Sequence, residues 1–162
     1  MTSFYDTINA IKTYLQGNNS VNTVHFGDIL NVDLAKQSIF PLANISVSDV
    51  TFGEHTMAFT INIMALDVVY DSSENVTDES DPFLGTNNLQ DVLNTQLMVL
   101  NGLQSSLRRG ELMQDKFIVD TDVSAEVLEE QFDNLLSGWG IDITVEVPNS
   151  DIKDISKTGS GC

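Results

Sequence analysis

Apolar side chains recur at helical spacing near the start of the chain. The pattern predicts a helix over residues 3 to 16, with one apolar stripe at Phe4, Ile8, Ile11 and Leu15. Ser3 belongs to the residue types that cap helix starts, and Gly17 is typical of a helix end. One face of this helix is therefore expected to pack on a core.

The longest helical pattern covers residues 88 to 109. Apolar residues recur there at intervals of three and four, at Leu89, Val92, Leu93, Leu97, Leu100, Leu103 and Leu107. Arg108 and Arg109 fall in the last turn, where cations complement the helix dipole, and Gly110 is the predicted C-cap. We expect this helix to lie across a sheet as its main cover.

Two segments predict the principal strands. Residues 57 to 69 are apolar and rich in β-branched side chains, with Met57, Phe59, Ile61 and Ile63 on one face and both faces apolar beyond Met64, which predicts a central strand half covered by helices. Residues 53 to 55 precede this strand and favour a hairpin or a strand pair around them. From Trp139 to Val147, apolar positions alternate with polar or glycine positions, as is typical of a half-buried strand, and Pro148 ends it.

Shorter strands are predicted at residues 24 to 26, 42 to 47 and 116 to 120. Residues 29 to 41 lack periodicity and are interpreted as a connecting loop. Residues 126 to 136 are ambiguous, because they fit either a short helix or an irregular edge strand. Together the elements predict an α+β domain, with one antiparallel or mixed β-sheet covered by two α-helices.

Polar segments delimit the domain. The chain has 162 residues, 41% of them hydrophobic, which suffices to bury a core without disulfides. We expect a single domain over residues 1 to 148 and an extended polar C-terminal tail over residues 149 to 162. Residues 71 to 86 are acidic and turn-rich, so they are interpreted as a long exposed loop.

The charge of the chain excludes several classes of function. Seven Lys and Arg stand against 24 Asp and Glu, a net charge of -17. Binding to nucleic-acid phosphates needs clustered cations, and so does docking on anionic membranes. The one cysteine, Cys162, rules out an internal disulfide and a Cys-based zinc site. The sequence lacks the features of a signal peptide or a spanning helix, so we expect a cytoplasm-like compartment.

The residue types that carry catalysis occur without a recognisable spacing. His25 and His55 belong to no metal-ligand motif, and the carboxylates show no pairing of base and nucleophile. The 71 to 86 loop offers calcium-type oxygen ligands without the EF-hand pattern, at Asp71, Glu74, Asp78, Glu79 and Asp81. A solvated loop is favoured there over a calcium-dependent binding module. We expect no enzyme activity, no cofactor and no bound metal.

Three segments carry distinctive strings of residues. They are DLAKQSIFPLANI at 33 to 45, LQDVLNTQLMVLNGLQSSLRRGEL at 89 to 112 and FDNLLSGWGIDITVEVPN at 132 to 149. Three motifs follow one another along the chain. They are a strand start with K-Q-x-x-F-P-L, a helix with Q-D-V-L-N-T-Q-L that ends in L-R-R-G, and an L-x-G-W turn before the last strand. Over most of residues 1 to 149 the chain resembles small virion proteins from tailed phages and prophages of Bacteroidetes-type hosts.

The order of elements is also similar to tail-terminator (tail-completion, or neck-ring) proteins of long-tailed phages. That resemblance implies a virion structural protein without catalysis, assembled in the host cytoplasm. Its copies would form a ring at the head-proximal end of the tail, commonly of six copies, with twelve as the alternative. The ring would stop growth of the tail tube and contact tube, sheath or connector proteins. Alternatives are another neck, connector or sheath-stabilising ring protein, or a non-viral monomeric binding module.

A closed ring of identical subunits needs two different surfaces that fit each other. We expect Arg108 and Arg109 to make intersubunit ion pairs. Four acidic residues of the 71 to 86 loop are expected to contact a neighbouring ring or line the channel, namely Glu74, Asp78, Glu79 and Asp81. An acidic lumen lets DNA pass without specific binding. Trp139 is expected in the core, where its indole N–H needs a partner. The 71 to 86 loop is longer and more acidic than the family pattern.

Overall fold

The computed structural model describes residues 3–69, 87–109, 118–119, 122–131 and 136–148. Its elements are α1 (Ser3–Gln16), β1 (Thr23–Phe26), β2 (Leu42–Phe52), β3 (Thr56–Val68), α2 (Asn87–Arg108), β4 (Ile118–Val119), β5 (Ala125–Gln131) and β6 (Leu136–Pro148). In these ranges the strands form one mixed sheet, and both helices pack on it. This is the α+β fold that the sequence predicts.

The sheet is built around β3 and β6. The strand order is β1-β2-β3-β6, and both β4 and β5 pair with the other side of β6. β1 runs parallel to β2, and the remaining pairs are antiparallel. The longest ladder joins β3 to β6, from Thr56 opposite Pro148 to Val68 opposite Leu136. β3 therefore has a partner on each side, and its predicted central position is confirmed.

β2 and β3 form a long hairpin closed by residues 53 to 55, as predicted. The register shifts between Val47 and Asp49, so Ser48 bulges out of the ladder. β1 pairs with β2 only as far as Ile45, and beyond Val47 the distal part of β2 is largely exposed. β2 continues past its predicted end at Val47, because pairing with β3 resumes beyond the bulge.

The main core lies between the helices and one face of the sheet. The alternation predicted for β3 and β6 is confirmed, since the inward-facing residues are buried at Phe59, Ile61, Ile63, Ala65, Ile141, Ile143, Val145 and Val147. α1 adds Ile8, Ile11 and Leu15 to this core. Where the helices meet, the Tyr14 hydroxyl lies where a Cβ on Gly102 would stand, so the glycine permits the close approach.

A smaller core covers part of the opposite face. The predicted loop over residues 29 to 41 contains two 3-10 turns, Ile29–Asn31 and Gln37–Ile39, and a cis peptide bond before Pro41. Its apolar side chains pack on the ends of three strands in a cluster of Ile29, Phe40, Leu42, Leu66 and Leu136. This explains why the apolar pattern of β3 spreads to both faces near its end.

α2 differs from its predicted apolar stripe. Leu97 is 40% exposed, whereas Gln96, which the stripe omits, is buried. The buried residues of α2 are Val92, Gln96, Val99, Leu100, Leu103 and Leu107. The prediction for Leu97 was wrong, because leucines occupy a wider arc of this helix than the sheet can cover.

β5 and β6 decide two predictions, the structure of residues 126 to 136 and the start of the last strand. The ambiguous segment is an edge strand at Ala125–Gln131, antiparallel to β6, and residues 132–135 lie outside the described ranges. β6 begins at Leu136, so the L-x-G-W segment belongs to the strand and is not a turn before it. The cause is Gly138, whose missing side chain lets β6 lie close against the β3 backbone and extends their pairing.

Some predictions fall outside the described residues. They concern the loop at 71 to 86, the cap at Gly110 and the tail at 149 to 162. Of the strand predicted at 116 to 120, Ile118–Val119 is described and is a strand paired with β6. The boundary between domain and tail stays a prediction.

Candidate functional site

Two of the six residues predicted to make intersubunit contacts are described. Arg108 is the last residue of α2, Arg109 follows it, and both are exposed. The Arg109 N–H donates to the carbonyl of Ser105 at 3.1 Å, which carries the helical turn to its end. Within the described ranges neither guanidinium forms an ion pair. The acidic four, Glu74, Asp78, Glu79 and Asp81, lie outside those ranges.

Arg108 lines one end of a groove between α2 and the chain that leads into β5. The groove has a volume of about 510 Å³. Its apolar lining consists of Leu97, Leu100, Val123, Ala125 and Ile141. Its polar lining consists of Asn101, Gln104, Arg108, Asp122 and Ser124. From Leu97 to Arg108 the helix rises by about 16 Å, so the groove is long enough for a peptide segment.

The groove exists because α2 does not extend over the outer strand. α2 packs on β3 and β6, while Ala125 and Val127 of β5 are exposed. Leu100 and Ile141 are buried and form the bottom of the groove. The Leu97 side chain lies on the solvent-exposed side of the groove. The arrangement offers an apolar bed with a cation at one end, which suits a segment that carries both an apolar side chain and a carboxylate.

The charge distribution singles out this end of α2. The chain carries 7 Lys and Arg against 24 Asp and Glu. Arg108 and Arg109, here called the basic doublet, are adjacent, exposed and without an ion pair among the described residues. A dipole interaction with the helix C-terminus accounts for one cation in the last turn. That interaction leaves the second arginine without an explanation, so the doublet also places positive charge beside the groove.

The two histidines lie in separate places and have different neighbours. His25 in β1 lies opposite Asn44 in β2, and its Nδ1 donates to the Asn44 Oδ1 at 2.6 Å. Asn44 is buried, and its Nδ2 donates to the Gly27 carbonyl at 3.2 Å, which fixes the orientation of the amide. His55 is exposed in the hairpin turn, 3.9 Å from Glu54. His25 thus joins two strands, the structural role predicted for it.

Other site types are not found in the described ranges. No group of three or more His, Cys, Asp or Glu there is placed to hold a metal ion. No helix of the described part combines the length and the apolar character needed to cross a membrane.

Burial raises the pKa of the Asp67 carboxyl. The backbone N–H of Val68, whose nitrogen is 2.8 Å from the Asp67 Oδ1, opposes part of the rise. Asp67 lies near the end of β3 and does not line the groove.

Sequence analysis identified the basic doublet but not the groove beside it. The apolar wall comes from residues far apart in the chain, Leu97, Val123 and Ile141, which no periodicity brings together. One signal was present: α2 carries more apolar residues than one buried face requires. Because a single exposed apolar residue is common on protein surfaces, this excess becomes informative only where tertiary packing places it beside other apolar residues and a cation.

Comparison with known proteins adds no relative. No protein-family model matches the chain, and no curated protein matches its sequence at a significant level.

Proposed function

We propose that the chain is a virion structural protein, the subunit of a homo-oligomeric ring at the head-proximal end of a phage tail. The ring terminates the tail tube and joins the tail to the head or its connector. Its partners are further copies of the chain and the adjoining tube, sheath or connector proteins. It acts by assembly and not by catalysis.

The observation that carries this proposal is the position of the basic doublet. Arg108 lines the apolar α2–β5 groove, and neither arginine has an ion-pair partner in the described ranges. On a chain of net charge -17, the neighbour that best fits these cations is an acidic surface such as that of another copy. Groove and acidic surface are different patches, as the heterologous contacts of a ring require.

The distinctive strings support the same proposal, because two of them coincide with elements of the fold. The segment from Lys36 to Leu42 leads into β2 through the second 3-10 turn and Pro41. The helix string lies in α2 as far as Arg108, so the basic doublet that it contains falls at the end of the helix. The third string departs from the family pattern, since its L-x-G-W segment lies inside β6.

The acidic charge fits a ring through which DNA passes. A surface of net negative charge repels the phosphate backbone, so DNA moves past it without being held. We propose that the acidic residues face the channel, with the virion tail or neck as the location of the ring. An arrangement with the acidic residues turned outward, away from the channel, would contradict this part of the proposal.

The location is tested by immunogold electron microscopy of purified virions. We expect label at the junction of head and tail. Label at the distal end of the tail, or no label on intact virions, would overturn the terminator assignment. Antibody absorbed with the purified chain serves as the control, and counting gold particles per virion against a protein of known copy number separates a sixfold ring from a twelvefold one.

The interface is tested by reversing the charge of the doublet. Arg108→Glu with Arg109→Glu should abolish ring assembly while the circular dichroism spectrum of the monomer stays unchanged. Lys36→Glu, which reverses an exposed cation elsewhere, is the matched control and should assemble normally. Wild-type rings should also weaken as salt is raised, since exposed ion pairs are screened. Rings of normal stability in the double variant would refute the assigned contact.

A further inference from the structure

The tip of the β2–β3 hairpin, residues 49 to 55, exposes an aromatic side chain and a carboxylate to solvent. Phe52 is 77% exposed there, although it is a large aromatic side chain at the end of a strand. Asp49 and Glu54 are exposed on the same tip. Asp49 lies three residues before Phe52 in continuous register, so its side chain is on the other face of the sheet, whereas Glu54 lies in the turn next to Phe52, with its Oε1 3.9 Å from the Nε2 of His55. Single exposed apolar residues are common on protein surfaces, but an exposed aromatic residue with a carboxylate in the adjoining turn is a suitable anchor for a partner.

The free edges of the sheet are less suited to joining two copies. β5 forms one edge and carries Glu126 and Glu129, and the distal part of β2 forms the other and carries Asp49. Pairing these edges would bring carboxylates of the same charge together, which destabilises cross-strand contacts. The bulge beside Asp49 also interrupts the backbone pattern that an added strand needs.

The groove and the hairpin tip complement each other in charge and in polarity. The groove has an apolar bed lined by the cation Arg108 and the carboxylate of Asp122, and Arg109 next to Arg108 leaves this region with a net positive charge. The tip presents one large apolar side chain, Phe52, beside one carboxylate, Glu54. A phenylalanine buries about 150–250 Å² when it is enclosed, and the groove volume of about 510 Å³ accommodates its ring.

We propose that the α2–β5 groove of one copy receives the hairpin tip of the next copy. Phe52 inserts between α2 and β5, where it contacts Leu97 and Val123, and the Glu54 carboxylate approaches the basic doublet. This inference rests on the proposed ring function and names the two surfaces that form the ring contact. Each copy then contributes one hairpin and one groove, so contacts run head to tail from copy to copy.

Head-to-tail contact makes a specific prediction about mixtures. A variant with a defective hairpin keeps its groove, and a variant with a defective groove keeps its hairpin. Neither variant assembles alone, but one of each forms a dimer that cannot grow, because its two remaining surfaces are both defective. A contact between two identical patches would not give this result.

The experiment uses sedimentation velocity on the full chain. The hairpin variant is Phe52→Asp, and the groove variant combines Leu97→Glu with Arg108→Glu. Each should self-associate at least about 30-fold more weakly than wild type, the loss typical of an anchor side chain. An equimolar mixture should form a heterodimer and nothing larger. The controls Leu30→Asp, at a residue 73% exposed elsewhere, and Lys36→Glu should assemble as wild type does.

Three results would overturn the inference. They are a wild-type chain that stays monomeric at every concentration, a Phe52→Asp variant that assembles normally, and a mixture of the two variants without heterodimer. Circular dichroism of each variant confirms that it is folded, which is expected because the substituted side chains are exposed or partly exposed. Virion labelling is independent of these results. Label at the head–tail junction combined with normal assembly of the variants would refute the docking contact alone.

Discussion

The indole N–H of Trp139 in β6 donates a hydrogen bond to the backbone carbonyl of Leu93 in α2, at 2.8 Å. The bond joins the sheet to the helix that covers it and links residues 46 positions apart. Trp139 is half-buried, and it is the one tryptophan of the chain. The partner predicted for its indole is confirmed to be a main-chain carbonyl, so this polar contact fixes α2 over one place on β6.

Trp139→Phe should destabilise the fold by about 1–3 kcal/mol, because it removes this hydrogen bond and part of a packed ring system. The measurement is urea unfolding followed by circular dichroism, since the variant has lost the only tryptophan fluorescence. Leu30→Ala removes an apolar side chain that is 73% exposed and should change stability by less than about 0.5 kcal/mol. Equal losses in both variants would contradict a specific role for Trp139.

Two glycines of β6 lie two residues apart but have different neighbours. A Cβ on Gly138 would collide with the carbonyl of Ala65 in β3, whereas a Cβ on Gly140 would lie 3.6 Å from the Leu128 side chain. Gly138→Ala should therefore cost about 3 kcal/mol or more, since it forces the two strands apart. Gly140→Ala should be neutral or slightly stabilising, since alanine suits a strand better than glycine. Thermal unfolding of the pair checks this, and similar melting temperatures would contradict it.

How much of the fold the sequence predicts depends on whether one face of an element is polar. β3 and β6 alternate clearly, so their buried residues were predicted correctly. The end of β2 and the start of β6 were not, because they depend on a bulge at Ser48 and a close backbone contact at Gly138. In α2, leucines surround too much of the helix for spacing alone to exclude Leu97 from the core.

Of the candidate site, the sequence predicts the two arginines but not the groove. Arg108 and Arg109 were predicted from their place at a helix end, which is local information. The groove beside them depends on which residues of β5 and β6 come to lie next to α2. That arrangement is set by tertiary packing, which short-range pattern does not encode.

Gln96 is a buried amide without a hydrogen-bond partner in the described ranges. It is 1% exposed on the sheet-facing side of α2, and neither its Oε1 nor its Nε2 is paired there. Gln96→Met keeps the approximate shape and removes the unpaired polar group, so it should stabilise the fold by about 1–3 kcal/mol. Gln104→Met on the same helix is the matched control. Its Nε2 donates to Asn101 and Ser105, so its loss should be neutral or destabilising.

Urea unfolding of both variants decides the point. A rise in the midpoint for Gln96→Met, without a rise for Gln104→Met, is the expected result. A loss of stability in Gln96→Met would mean that the amide is paired in solution and that its burial is offset by contacts outside the described residues.

Asp67 should make the stability of the chain depend on pH. Burial raises the pKa of its carboxyl above the usual 3.8, so the folded state holds the proton more tightly than the unfolded state does. The stabilising contribution of the protonated form is present below the usual pKa and is lost as pH rises through the folded pKa. At neutral pH the ionised, half-buried carboxylate therefore destabilises the fold.

Asp67→Asn should raise the urea midpoint at neutral pH, because the neutral amide avoids the desolvation of a charge and its oxygen still accepts from the Val68 N–H. The advantage over wild type should shrink as pH falls through the folded pKa and vanish below the usual one. Asp49→Asn makes the same change in net charge at an exposed site and separates burial from general charge repulsion. If both variants gain equally at neutral pH, burial of Asp67 is not the cause.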